Sequence, residues 1–115
     1  MNAQEFATTV RKVVMDAAVK DTVNSFEQPP GRRPASELVA LSRWYLALGP
    51  NDRDMVRRAL GAVSYAAVFG LFAVLDGVRR IDDAQPPGEL QLWYERPGAR
   101  HLLSGGLHDL LDSES

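Results

Sequence analysis

Two histidines, several clustered carboxylates and a few paired arginines are the residues whose types could do chemistry in this chain. His108 stands beside Asp109, a pairing that invites a general-base reading. Neighbouring residues on a helix point in different directions, so adjacency alone does not make a dyad. His101 and His108 lack the spacing of a helical metal pair, and His101 reads as a strand residue beside Tyr94. Asp76 is the more informative carboxylate. It closes an apolar run, precedes Gly77, and has Arg79 and Arg80 three and four residues later, within reach on a continuous helix. A structural ion pair from Asp76 to Arg79 or Arg80 is the leading expectation, with ligand contact by Asp76 or His108 behind it. Asp82 and Asp83 are adjacent but do not match a calcium loop, and read as a polar helix exit. Ser64 lies within "GAVSYAA" rather than in a nucleophile elbow, and no phosphate-binding glycine motif occurs. No catalytic residue, metal site or cofactor is expected from these patterns.

Bulk properties narrow the class. The 115 residues suit one domain, spanning 1–115. A folded monomer of this size has an accessible surface of roughly 6,200 Å². Hydrophobic residues make up 45% and charged residues 24%, an ordinary globular balance. The net charge of −2 carries no footprint for nucleic acid. The absence of cysteine excludes disulfides, thiolate metal sites and cysteine nucleophiles. Charges at Glu5, Arg11, Lys12, Asp16 and Lys20 interrupt any signal-type apolar run, so a cytoplasmic protein is expected.

The elements that must position these residues follow from periodicity and breakers. Residues 3–26 form a first helix with two apolar stripes. Phe6, Val10, Val13, Val14 and Ala17 share one face, and Met15, Val19, Val23 and Phe26 share another. Such a helix changes its buried face midway. "EQPPGRRP" breaks it, and Arg32 and Arg33 there read as solvated. A second helix covers 35–48, stopped by Gly49 and Pro50. Asn51 then caps a third helix over 52–82, taken as continuous through Gly61 and Gly70. Its stretch Ala59–Leu75 has no charge. Seventeen residues make about 25 Å of helix, short of the roughly 30 Å hydrocarbon core. The expectation is therefore a buried helix at the centre of a soluble domain, with no membrane span. After "DDAQPPGE" the pattern becomes alternating. Strands at 89–95 and 100–104 form a hairpin about "RPGA", with Glu95 facing Arg100, Tyr94 facing His101 and Leu92 facing Leu103. A short helical turn at 107–112 ends the chain.

The segments "AAVFGLFAVLDGVRRIDD", "GELQLWYE" and "LHDLL" together resemble a pattern of small, mostly uncharacterised bacterial proteins, some of them immunity-type proteins. The likeness covers roughly the C-terminal half. It implies neutralisation of a cognate toxin by direct binding, and it carries over no functional residue.

The expected architecture is α+β: three main helices with the third buried and central, then a hairpin and a short helical tail. The expected function is non-enzymatic protein binding, with a toxin as one possible partner and Asp109, Asp112 and Glu114 as the contact residues. The first alternative is a small hydrolase or ligand-binding domain using Asp76, His108 and Asp109. The second is a self-associating subunit, because a helix apolar all round needs cover on every side and two helices plus a hairpin leave a strip for a homodimer to cover.

Overall fold

The computed structural model of the chain describes residues 1–113. Its first rod has three parts in line: α1 (Ala3–Val10), a π-helical stretch (Arg11–Asp16) and α2 (Ala17–Glu27). Asn2 caps it, its side-chain oxygen accepting from the Glu5 N–H at 2.8 Å. The π stretch is the physical reason for two stripes on one helix. Each π-type hydrogen bond skips one residue more than an α-type bond. The buried series therefore passes from Ala7 and Val10 to Met15, then to Val23 and Phe26. Val13 and Val14, expected on the first stripe, are instead 67% and 48% exposed.

α3 (Ser36–Leu46) folds back chiefly onto α2. The buried Ser42 hydroxyl donates to the Phe26 carbonyl at 2.5 Å, satisfying an acceptor at the end of α2. Tyr45, wholly buried, packs its ring on Phe26 at a centroid distance of 5.6 Å.

α4 (Pro50–Leu75) differs from expectation at both ends. Gly49, not Asn51, is its N-cap, and Pro50 occupies the first turn, where a missing N–H costs nothing. The helix runs unbroken through Gly61 and Gly70 but stops at Leu75. There Gly77 turns left-handed at φ +78°. The Val78 N–H reaches the Ala73 carbonyl at 2.9 Å, and the Gly77 N–H reaches that of Val74 at 3.1 Å. That pair of bonds is a Schellman stop. Residues 76–82 therefore leave the helical path.

The chain ends in β1 (Trp93–Arg96), β2 (Ala99–Leu102) and α5 (Leu107–Ser113). The strands pair antiparallel with Tyr94 opposite His101 and Glu95 opposite Arg100, the expected register. Gly98 takes φ +81° at the turn, as a type II turn requires. The ladder extends through the Leu103 N–H to the Leu92 carbonyl at 2.8 Å. Leu103 is buried, and Leu92 packs on the core formed by the first rod, α4 and α5.

The organisation is α+β, with helices followed by a hairpin and a short helix. Its core is split. Val10, Met15, Phe72, Leu107 and Leu111 form one cluster, and Val23, Phe26 and Tyr45 the other. α4 spans both: Val56 and Leu60 join the second cluster, and Val68, Phe69 and Phe72 the first. It is central, but the expectation of a buried helix fails: much of its apolar surface is exposed. Neighbours cover it on a side that shifts along its length, and the rest faces outward. The accessible surface is 8033 Å², about 1,800 Å² above that of a compact monomer of this mass. The radius of gyration is 18.0 Å against about 13 Å for a compact domain of this length.

Candidate functional site

Asp76 follows the last residue of α4, and the left-handed Gly77 redirects the chain behind it. Its side chain is wholly buried beneath the turn that opens α5. One carboxylate oxygen accepts from the Gly105 N–H at 2.6 Å. The other accepts from the His108 N–H at 2.9 Å and lies 2.5 Å from His108 Nδ1. A residue far back in sequence thus satisfies N–H groups at the start of α5, the task of an N-cap. "SGG" supplies the backbone that makes this approach, with Gly105 at φ +124°.

Burial of Asp76 acts to raise its pKa. The His108 ring and the N–H groups of His108, Gly105 and Leu107 act the other way and prevail, holding it below the usual 3.8. The carboxylate is therefore ionised at neutral pH, which assigns the proton of the contact to His108 Nδ1. The edge of the His108 ring meets Phe69 at a centroid distance of 5.9 Å. Its Nε2 lies 3.4 Å from a carboxylate oxygen of Asp109, whose side chain is exposed.

The structure thus brings together Asp76, His108 and Asp109, and it separates Asp76 from its expected partners. Arg79 and Arg80 lie beyond the Schellman stop, off the helix that would have carried them back to Asp76. Arg80 donates to the carbonyls of Asp82 and Ala84 at 2.8 and 2.9 Å. Arg79 folds back over Gly70, where an added Cβ would come within 2.7 Å of its guanidinium. Asp112 accepts from the Tyr65 hydroxyl, joining α5 to α4. Glu114 lies outside the described residues. An open cleft beside the junction is lined by Asp76, Arg79, Arg80, Glu89, Gln91 and Ser104. Among the described residues no group of three or more histidines and carboxylates is arranged to hold a metal ion.

A second feature was not singled out by residue in the sequence: the outer face of α4. Met55, Val63 and Leu71 are 57%, 66% and 57% exposed, and Ala59, Ala62, Ala66 and Ala67 between them are also exposed. An uncharged run on one helix is the signal that pointed towards it. Which side of that run lacks cover depends on where its neighbours sit. Comparison with known protein families, with curated proteins and with solved structures finds no match to the chain.

Proposed function

We propose that this chain acts by binding protein, and that the outer face of α4 is its contact surface. The observation that carries this reading is the continuous exposed apolar strip from Met55 to Leu71 on a helix whose other side builds both halves of the core. Single exposed apolar residues are common, but a contiguous strip of this kind marks an interaction surface. The buried Asp76 latch supports the same reading, because it fixes α5 against α4 and leaves that strip on a stable support. Toxin neutralisation by an immunity-type protein is the special case in which the partner is a toxin. Asp109 is an exposed acidic residue of α5 available to such a partner.

A photo-crosslinking residue at position 63, used in the cells that make the protein, tests this. A discrete protein adduct is expected. No adduct from position 63 or from position 71 would overturn the reading.

The contact of Asp76 with His108 favours a second reading, a small hydrolase or ligand-binding domain. Asp76 orients the ring as the carboxylate of a catalytic triad does. Yet the two ring nitrogens face Asp76 and Asp109, and among the described residues neither has a hydroxyl partner. On this reading His108→Gln abolishes a hydrolytic activity or ligand affinity while leaving the fold intact. On the first reading it alters only stability.

A further inference from the structure

We infer that the occupant of the α4 face is a second copy of this chain, laid antiparallel across a two-fold axis. This rests on the protein-binding reading and names the partner.

The charges at the two ends of the strip carry the inference. Most charged side chains along α4 and the turn after it have partners. Asp54 pairs with Arg58 at 3.0 Å, and Arg57 pairs with Glu27 at 3.6 Å. Arg53 donates to the carbonyls of Leu46 and Leu48, and Arg80 to those of Asp82 and Ala84. Asp52 and Arg79 are different. Among the described residues neither side chain has a hydrogen bond or an ion pair. Asp52 lies on the same helical face as Ala59 and Ala66, at heptad spacing, and marks the N-terminal end of the strip. Arg79 folds its guanidinium back over Gly70 and so marks the C-terminal end.

The span from residue 52 to residue 70 is about 27 Å of helix. Antiparallel packing with the axis at the level of residue 61 brings each copy's Asp52 to the level of the other's Gly70, beneath Arg79. The same register sets Val63 at the level of the other copy's Ala59. Met55 lies at the level of its Ala66 and Ala67. Large side chains thus meet small ones, which permits close approach of two helices. The pairing is self-complementary, as a two-fold interface requires. Area does not stand in the way: a stable interface buries about 800 Å² per partner, and the chain as a whole, its exposed segment 77–91 included, exposes about 1,800 Å² more than a compact monomer of its mass.

Light scattering of the purified chain across a concentration series tests this. The expected mass is twice that of the chain. Arg79→Glu and Asp52→Lys should each weaken association by at least about tenfold, because like charges then face each other. The combined Asp52→Lys, Arg79→Glu variant should recover it, since every pair is restored with its sign reversed. Circular dichroism of each variant establishes that the helices are retained, and Val63→Asp gives a second variant on the strip itself. A single-chain mass at every concentration overturns the inference, as does equal association of the wild type and both single variants. A protein adduct from position 63 of any mass but twice the chain overturns the second copy and leaves the protein-binding reading standing. No adduct at all removes both. Sedimentation of the chain with anionic lipid vesicles, lost in Val63→Asp, overturns it in favour of a membrane surface.

Discussion

At the scale of single residues, Asp76 decides how the C-terminal third is held. Its ionised carboxylate, wholly buried itself, accepts two N–H groups and faces the His108 ring. Asp76→Asn keeps the size but replaces one acceptor oxygen with a donor and removes the charge. We expect a loss of about 1–3 kcal/mol, measured by urea unfolding. The pH dependence has a definite sign. Because the folded pKa lies below 3.8, the stabilisation is complete above that value and disappears as pH falls through the lower, folded one. Asp76→Asn should therefore flatten the part of the acid unfolding curve below about pH 4 and shift stability near neutrality by a constant amount. A wild-type and variant acid limb that run parallel throughout would contradict this. The sequence sets Asp76 and His108 together only in the alternative hydrolase or ligand-binding reading, while its leading expectation pairs Asp76 with the arginines. The pairing joins residues on separate elements, and the partners proposed instead, Arg79 and Arg80, required a helix that Gly77 ends.

At the scale of elements, α4 and the turn that ends it hold glycines with opposite roles. Gly61 lies inside the helix, and an added Cβ would meet nothing within 4 Å. Gly61→Ala should stabilise the fold by about 0.5–1 kcal/mol through helix propensity alone. Gly77 stands at φ +78°, where an L side chain is strained, so Gly77→Ala should cost about 1–2 kcal/mol. Chemical denaturation of the two variants should move in opposite directions, and a gain from Gly77→Ala would refute the stop described above. These two glycines also show where sequence reading succeeds and where it fails. The hairpin register was legible because Pro97, Gly98 and the Glu95–Arg100 pair act locally. The change of buried face along the first rod was legible as two stripes, but its cause, a π-helical stretch, was not. Val13 and Val14 fit an α-helical stripe and still end outside, because that stretch shifts the register beneath them. The end of α4 was misplaced because Asp-Gly was read as interior to a charged tail. Its meaning as a stop depends on a backbone turn, not on polarity.

At the scale of the whole molecule, composition predicted a helix needing cover all round, and the chain supplies that cover on one shifting side. Two clusters share α4, and among the described residues no third layer closes over Met55, Val63 and Leu71. The elongated shape and the surplus surface reflect this open face together with the exposed segment 77–91. If a second copy supplies the missing layer, folding and association are coupled, and stability depends on concentration. The dissociated, unfolded state is then favoured by dilution by about 1.4 kcal/mol per tenfold. For a dimer of this size that corresponds to roughly 3–5 °C in Tm for each tenfold change in protein concentration. Scanning calorimetry of the wild type should show this rise. Val63→Asp should show a midpoint independent of concentration and below that of the concentrated wild type. The comparison separates association from local effects. A substitution at a residue 66% exposed changes the stability of an isolated chain by only about 0.5 kcal/mol. A concentration-dependent gap between the two proteins can therefore come only from what covers the α4 face.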